Sequence, residues 1–547
     1  MSEAPVHSTI DAISLEVIRN ALAAVADEMN ANLVRTAYSP NIKERRDCSS
    51  AVFDAAGQMV AQAESIPVHL GAMPFSVASA IAHVSAFAPG DMVVLNDPFS
   101  GGAHLPDVTF VAPVFAGASL IGFVANRAHH ADIGGKEPGS LAGDSTEIFQ
   151  EGVRIPPVKV WKAGTLDQDL LTLLLANVRT PDERWGDLRA QRASCNVGID
   201  RMVALCERMG SVERLSEGMT AVMDYSEKRM RQRLLELPDG VGHFEDQLDD
   251  DGVSGQPVKI QARVELQADR VLVDFKGSAP QVQGPVNAVL AVTTSATFYA
   301  VRSMTDPEIP PNHGCYRPVE IRTPASSVVD ASLPAPVVGG NLETSQRIVD
   351  VILGALGQIL PDVAVAASQG TMNNLAIGGI DSRTGHPFSI YETNAGGYGA
   401  RPGKDGIDGI HSHMTNTLNT PVESLETHYP LRVERYELRP GTGGTGQFRG
   451  GLGLRRDITC LTEQARASLL TERRVTAPYG MDGGCPGALG RNVLLRDGEE
   501  LPLPAKGTVT IQEGDTISLR TPGAGGLGAV EARDREAIER DQREGRI

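Results

Sequence analysis

Residues 96–132 read NDPFSGGAHLPDVTFVAPVFAGASLIGFVANRAHHAD, and this stretch carries most of what the sequence says about fold and chemistry. Its two apolar runs, at 108–115 and 120–126, predict short β-strands. Polar loops rich in glycine flank both runs and end in His129-His130-Ala131-Asp132. Because binding groups concentrate in loops on a rigid scaffold, we interpret these loops as the candidate functional region.

The same stretch predicts a divalent metal site, because three carboxylates and three imidazoles lie at its strand ends. Histidine nitrogen and aspartate oxygen together suit zinc, manganese or iron(II). Asp and Asn beside Gly and Pro are also ordinary turn formers, so no single residue decides the point. As a set they favour a metal, since so many polar groups beside apolar strands are costly to bury. We expect His130 or Asp107 to act as a base or to orient a ligand.

The rest of the sequence predicts an α+β, multi-domain fold. A long amphipathic helix is expected from Ser14 to Tyr38, followed by a hairpin that turns at 54–57. The N-terminal part then combines a mixed sheet with a helical cap at 166–237. Residues 258–274 alternate as strands do, a second helical run follows Asn341, and a β-rich, glycine-dense C-terminal module begins near Tyr429.

A chain of 547 residues is too long for one hydrophobic core, so several packed domains are expected. We place an N-terminal metal-binding domain at 1–236 and a β-rich middle domain at 237–340. A C-terminal module that passes from α/β to β-rich follows at 341–530. The charged tail at 531–547 is expected to be a frayed helix or disordered, without chemistry.

Composition and charge narrow the class of protein. The net charge is -18 with the acidic residues scattered, which argues against binding nucleic acid or an anionic membrane. Six widely spaced cysteines suggest neither a disulfide framework nor a zinc cluster. The first residues lack the basic and apolar regions typical of a signal peptide, so none is expected, and no apolar run is long enough to span a bilayer. A cytoplasmic location is expected.

Two further polar regions supply candidate binding residues. The Gly-Gly-Asn run that ends at Asn341 is a plausible helix start, with Asn341 near the N-cap. Backbone N–H groups there would form a substrate or phosphate site with Arg347 or Arg401 as an anion clamp, although simple turn chemistry explains the pattern equally well. The letters of a dinucleotide fingerprint occur at 441–446, but no helix pattern follows, so we interpret them as a turn. No familiar phosphate-loop motif occurs.

Several of these stretches together resemble the hydantoinase B family. That family includes the matching subunits of acetone and acetophenone carboxylases, caprolactamase, and the C-terminal half of 5-oxoprolinase. The resemblance runs from about residue 14 to 528, and it is carried by segments beginning at Glu44, Asn96, His129, Glu147, Val273 and Asn416.

The resemblance implies a hetero-oligomer with a hydantoinase A-type ATPase, which would bind ATP and phosphorylate the substrate. It also implies metal ligands in this chain. A His-x-x-Asp pair and an earlier Glu match His129, Asp132 and Glu64. Independently of the resemblance, Glu64 and His69 lie on one proline-stiffened segment, and either is a candidate remote ligand. A later histidine ligand has no counterpart before His243, so Glu151 is taken in its place.

The expected reaction is hydrolysis of a cyclic amide, namely a hydantoin, a lactam or 5-oxoproline. Phosphorylation of the amide oxygen would make it a leaving group, and a metal would make water a better nucleophile. The alternative is a subunit of an ATP-dependent ketone carboxylase of the acetone or acetophenone type. A non-catalytic scaffold that stabilises the ATPase is a third possibility.

Overall fold

The computed structural model describes residues 10–63 and 65–547. Residues 1–9, which contain the N-terminal segment considered for a signal peptide, and Glu64 lie outside the described residues. The strands are β1 Cys48–Phe53, β2 Met59–Gln62, β3 Met92–Leu95, β4 Asp107–Ala116, β5 Ser119–His129, β6 Val158–Lys162, β7 Thr165–Leu166, β8 Gly240–Leu248, β9 Val258–Gln267, β10 Arg270–Asp274, β11 Val319–Arg322, β12 Asn374–Ile380, β13 Pro387–Glu392, β14 Leu431–Leu438, β15 Leu454–Cys460, β16 Gln464–Leu470, β17 Arg491–Arg496, β18 Glu499–Pro502, β19 Lys506–Gln512 and β20 Thr516–Arg520. The helices are α1 Ala12–Thr36, α2 Pro40–Lys43, α3 Met73–His83, α4 Gln168–Leu175, α5 Pro181–Met209, α6 Val212–Leu235, α7 Leu290–Thr305, α8 His313–Tyr316, α9 Ser345–Ile359, α10 Val422–His428 and α11 Arg535–Arg543.

The α+β class is confirmed, and the N-terminal sheet has the strand order β2-β1-β5-β4-β3-β6-β7. All of its pairings in the described chain are antiparallel, so the expectation of a mixed sheet there is wrong. The physical reason is the tight turn between β4 and β5, which leaves no room for the long crossover that parallel neighbours need.

The predicted first helix and helical cap are confirmed as α1 and α4 to α6. Asp11 caps α1 by accepting hydrogen bonds from the N–H groups of Ile13 and Ser14. The buried face of α1 packs on α5, where the hydroxyl of Ser194 donates to the carbonyl of Met29 at 2.9 Å. These helices cover one side of the seven-stranded sheet.

The middle sheet has the order β11-β10-β9-β8, and the predicted strands at 258–274 are its hairpin β9–β10. Helix α9 lies across β8, since a Cβ at Gly242 would be 2.0 Å from the carbonyl oxygen of Ala355. Residues of the N-terminal and middle sheets belong to one continuous hydrophobic cluster. The boundary near Glu236 therefore separates two sheets that share a core.

The C-terminal module contains a sheet of order β13-β12-β16-β19 and another of order β14-β15-β20-β17-β18. Their facing apolar side chains form a second core cluster. The charged tail contributes α11, where Asp541 is buried and bonds to Arg533 at 2.5 Å. No helix in the described part of the chain has the length and apolar character needed to cross a membrane.

Candidate metal centre

An antiparallel hairpin brings together the two polar ends of residues 96–132. Strands β4 and β5 pair from Ala116 and Ser119 at the turn to Asp107 and His129 at the far end. Directly paired residues in an antiparallel sheet project from the same face. The side chains of Asp107 and His129 are therefore neighbours despite their distance along the chain.

His104 reaches the same point through the loop that precedes β4. The Asn96 side chain fixes this loop by bonding to the backbone of Leu105 and of Ile155, each at 2.7 Å. The loop then turns back, and the N–H of Asp107 donates to the carbonyl of His104 at 3.1 Å. The turn places the imidazole beside the carboxylate.

His104, Asp107 and His129 form a compact group of buried donors whose ligand atoms lie within 4.8 Å of one another. Nε2 of His104 is 3.4 Å from Oδ2 of Asp107. The ring nitrogens of His104 and the carboxylate oxygens of Asp107 have no hydrogen-bond partner among the described residues. Buried polar atoms are normally partnered, and two nitrogens with a carboxylate suit zinc, manganese or iron, so this group fits a divalent cation.

The electrostatics of the group agree with that chemistry. Burial opposes ionisation of Asp107, but the imidazoles of His104 and His69 outweigh it and hold the pKa of the carboxyl well below its usual range. Burial, reinforced by His104, lowers the pKa of His129 well below its usual value. An ionised carboxylate beside a neutral imidazole is the donor state that a metal requires.

The His129 ring is held from two sides. The side-chain nitrogen of Asn41 lies 3.1 Å from Nδ1 of His129 and donates to the carbonyl of the same residue at 2.6 Å. The ring of Tyr391 stacks on the imidazole, with the centroids 4.6 Å apart and the planes 10° apart. The Tyr391 hydroxyl in turn donates to Asn374 at 2.7 Å. The C-terminal module thus helps to orient this donor.

Two further titratable side chains border the group. Nδ1 of His69 is 2.9 Å from the hydroxyl of Ser49, and Nε2 is 3.5 Å from Oδ1 of Asp107. Asp47 precedes β1, and its carbonyl accepts from the N–H of His129 at 3.0 Å. Burial raises the pKa of the Asp47 carboxyl.

A small cavity of about 20 Å³ adjoins the group, between the N-terminal sheet and the C-terminal module. Asn341 lines it, within the π-helical turn Gly340–Thr344 rather than at the expected N-cap. Its carbonyl oxygen Oδ1 is buried without a partner among the described residues. Single π-helical turns are frequent at functional sites, and this one presents a free acceptor to the cavity. The other lining residues are Asp47, Ile66, Val68, His69, Asp107, His129, Leu342, Met372, Tyr391, Thr393, Met414 and Thr415.

Asp132, expected as a ligand, lies outside this group. Its Oδ1 accepts from the N–H groups of Gly134 and Arg179, at 3.0 and 3.2 Å. Its Oδ2 accepts from the N–H of Gly139 at 3.2 Å and from the guanidinium of Arg179 at 2.9 Å. Four donors satisfy this carboxylate, so the structure brings His104 rather than Asp132 to the side of His129.

Of the two glutamates expected as ligands, the structure describes only Glu151. The carboxylate of Glu151 accepts from the N–H groups of Val337 and Val338, at 3.0 and 3.1 Å. Burial raises the pKa of Glu151 to about 8, although the two hydrogen bonds from the backbone act to lower it. It holds the segment that leads to Asn341, whereas Glu64 lies outside the described residues.

His130 points away from the cavity, because successive residues at a strand end face opposite sides. Its Nε2 lies 3.0 Å from the side-chain oxygen of Gln191 on α5. Burial, reinforced by Arg184, lowers the pKa of His130 to about 4. The structure therefore does not place His130 where it could act on a molecule in the cavity.

The two arginines expected as anion clamps also lie elsewhere. Arg347 is fully buried among three carboxylates, those of Asp246, Asp350 and Glu472, at 3.3 to 3.7 Å. Such pairing leaves it no free charge for an anion. Arg401 lines a separate surface cavity of about 440 Å³.

His104 is the residue that sequence reasoning did not select as a ligand, although it lies in residues 96–132. The sequence signal that could have identified it is the register of the β4–β5 hairpin. Pairing two strands around a turn near residue 117 places Asp107 opposite His129, and His104-Leu-Pro-Asp107 repeats the His-x-x-Asp spacing. His129 is then the later histidine that the resemblance requires.

Comparisons with known proteins agree over nearly the whole chain. A protein from Pseudomonas sp. strain NS671, assigned as the B-type component of a D-/L-hydantoinase, is 33% identical over 98% of this chain and 93% of its own length. The 5-oxoprolinase 1 of Arabidopsis thaliana is 37% identical over 95% of this chain, which spans only 42% of that protein.

Two solved structures also match this chain over nearly its whole length. ATP-dependent caprolactamase from Pseudomonas jessenii superposes with a TM-score of 0.90 at 30% identity, covering 98% of this chain and 94% of that one. Acetone carboxylase, at 19% identity and a TM-score of 0.89 over 97% of this chain and 78% of that one, shares the fold. The hydantoinase B/oxoprolinase family profile matches residues 11–530. The chain therefore belongs to the hydantoinase B/oxoprolinase family.

Proposed function

We propose that this chain is the metal-binding subunit of a heteromeric, ATP-dependent cyclic amide hydrolase that opens a hydantoin, lactam or 5-oxoproline ring. The observation that carries the proposal is the group of His104, Asp107 and His129, whose buried donors converge beside a cavity. Relatives named as a hydantoinase component, a 5-oxoprolinase and an ATP-dependent caprolactamase support the substrate class.

The chemistry explains why a second chain is needed. An amide carbon is a poor electrophile, and phosphorylation of its oxygen by a hydantoinase A-type partner would activate it. Water then adds to the activated carbon, the ring C–N bond breaks, and the nitrogen takes up a proton. A second water releases phosphate from the resulting acyl phosphate, leaving the free acid. The lack of a phosphate-loop motif in this sequence is consistent with ATP binding on the partner.

His104, Asp107 and His129 would hold a zinc, manganese or iron ion, which supplies Lewis acidity when bound. Asp47 is the remaining carboxyl on the cavity wall, and burial raises its pKa, which makes it a stronger base toward water. The free Oδ1 of Asn341 would accept a hydrogen bond from a ring N–H and so orient the substrate.

The cavity also limits the size of the substrate. With a volume of about 20 Å³ it is a narrow space, so the smallest ring substrates would displace its walls least. Enclosure by Tyr391 and Met372 from the C-terminal module would exclude bulk water from an activated intermediate. We therefore expect small five- to seven-membered rings to be turned over better than bulky derivatives.

The test is to purify this chain with its hydantoinase A-type partner and measure ATP-dependent opening of hydantoin, caprolactam and 5-oxoproline. A His129→Gln variant should lose about 100-fold or more of the ring-opening rate. Exposed His83 provides the matched control, and His83→Gln should behave as the wild type. Unchanged turnover in His129→Gln would contradict the proposal. Incorporation of labelled bicarbonate into an acid product, without ring opening, would support the carboxylase alternative instead.

A further inference from the structure

A second cavity lies at one end of the five-stranded sheet of the C-terminal module, and its volume is about 670 Å³. Five arginines line it, and Glu437 is the one carboxylate in its wall among the described residues. We call it the arginine pocket. Its arginines are Arg439, Arg455, Arg474, Arg491 and Arg520.

Three of these arginines form a row across adjacent strands. Arg455 on β15 pairs directly with Arg520 on β20, and Arg520 pairs directly with Arg491 on β17. Directly paired residues lie about 5 Å apart at Cβ on one face, and like charges in these positions are destabilising. The acidic chain, with its net charge of -18, thus concentrates repelling cations at one place.

Neighbouring carboxylates neutralise only part of this charge. Arg455 pairs with Asp457 at 2.8 Å, and Arg520 pairs with Glu500. Among the described residues, the guanidinium groups of Arg439, Arg474 and Arg491 form no ion pair with a carboxylate. Arg474 still lies near negative charge, because its backbone N–H donates to the carboxylate of Asp249 at 2.6 Å.

Those three guanidinium groups bond to neutral groups or extend into the pocket. Arg439 donates to the carbonyls of Leu489 and Thr521, and Arg474 donates to the side-chain oxygens of Asn373 and Asn492. Burial, together with the charges of the neighbouring arginines, lowers the pKa of Arg439 to about 10. A counterion with negative charge would relieve this repulsion.

The glycine-rich residues 441–446 form part of the wall. Thr442 lines the pocket, but the N–H groups of Gly441 and Gly444 are already bonded to backbone carbonyls, each at 2.8 Å. Those N–H groups are therefore not free to form a phosphate cradle. The hydrogen-bond donors available to a ligand are the guanidinium groups.

Another arginine-lined cavity, of about 380 Å³, provides a contrast beside α6 and β10. There Arg231 pairs with Glu227 and Asp269, and Arg322 pairs with Glu320 at 2.6 Å. Its arginines thus carry carboxylate partners, and the surface is internally compensated. A lining of arginines alone is therefore not the signal. The arginine pocket differs because three of its guanidinium groups, those of Arg439, Arg474 and Arg491, have no direct carboxylate partner among the described residues.

We propose that the arginine pocket binds a small phosphate-bearing ligand. Planar guanidinium groups match pairs of phosphate oxygens and hold them more strongly than neutral donors do. A row of such groups across three strands suits an elongated ligand with two linked phosphates, such as a nucleoside diphosphate. This site is separate from the proposed metal centre and does not depend on it.

The test is calorimetric titration of the full-length chain with pyrophosphate at constant ionic strength, with separate titrations of inorganic phosphate and ADP to identify the source of the phosphate. Saturable binding is expected, and Arg491→Gln should weaken it by about tenfold. Arg322→Gln removes the same charge from the compensated cavity and should leave the affinity unchanged. Since Arg439 also ties two loops together, Arg491→Gln is the decisive variant and Arg439→Gln the second.

Three outcomes would overturn the proposal. One is the absence of saturable binding of all three probes. Another is equal weakening by Arg491→Gln and Arg322→Gln, which would mean that only bulk charge matters. The third is binding of polyglutamate without binding of any phosphate probe, which would assign the pocket to an acidic protein segment.

Discussion

Two His-x-x-Asp pairs lie at the open end of the β4–β5 hairpin, opposite its turn, and their carboxylates differ in hydrogen bonding. In His104–Asp107 the carboxylate oxygens have no hydrogen-bond donor among the described residues, and they face two imidazoles. In the His129–Asp132 pair the carboxylate is satisfied by three backbone N–H groups and a guanidinium. Spacing alone therefore does not identify a ligand; the availability of the carboxylate oxygens does.

The largest effect should come from removing the available carboxylate. Asp107→Asn keeps the shape of the side chain but removes the negative charge that a cation requires. The ATP-dependent ring-opening rate, measured with the partner present, should fall by about 1000-fold, equivalent to about 4 kcal/mol of transition-state stabilisation. Exposed Asp144 offers a control, and Asp144→Asn should retain full activity. A loss of less than tenfold in Asp107→Asn would remove Asp107 from the proposed centre.

The satisfied carboxylate should matter for stability instead. Asp132→Asn would turn an amide N–H toward the backbone N–H of Gly139 and the guanidinium of Arg179, so buried donors would face each other. We expect the free energy of unfolding to fall by about 2 kcal/mol, measured by urea denaturation. Stability equal to the wild type would show that these four bonds do not hold the turn.

Glu151 is a second carboxylate with a structural role, and the pH dependence of stability tests that role. Its carboxyl has an ordinary pKa of 4.5, and burial raises the pKa to about 8 in the folded chain. Between these values the folded chain keeps a proton that the unfolded chain has lost. Stability should therefore fall as pH rises through this window, by at most about 1.4 kcal/mol per pH unit from this group.

Glu151→Gln should flatten that part of the pH dependence and cost about 1 kcal/mol at pH 5, because one backbone N–H loses its acceptor. Urea denaturation at pH 5, 6.5 and 8 measures both effects. An unchanged slope in the variant would mean that Glu151 is ionised in the folded chain.

The smallest effect is expected at His130, next to a proposed ligand but turned toward α5. His130→Gln can keep a contact with Gln191 and leaves the cavity untouched. The ring-opening rate should remain within about threefold of the wild type, well under the cost of losing a transition-state contact. A loss comparable to that of Asp107→Asn would return His130 to the catalytic role expected from sequence.

Much of the fold followed from periodicity, because α1 and the hairpins β1–β2 and β9–β10 are local patterns. His129 was predicted from the density of polar groups around it. The hydrogen bonding of Asp132 was not predictable from the sequence, because one of its partners, Arg179, comes from a distant helical region. Arg347 was likewise correctly placed in a helical run, but Asp246 and Glu472, each more than 100 residues away along the chain, neutralise it. Periodicity reveals elements, whereas the partners of a charge depend on tertiary packing.

Metal content tests the central claim most directly. The wild-type chain and the His104→Gln and Asp132→Asn variants would be purified without chelators and analysed for zinc, manganese and iron. We predict about one metal ion per chain in the wild type and in Asp132→Asn, and less than about a tenth of that in His104→Gln. Metal retained by His104→Gln but lost from Asp132→Asn would contradict the account and return the site to His129 and Asp132.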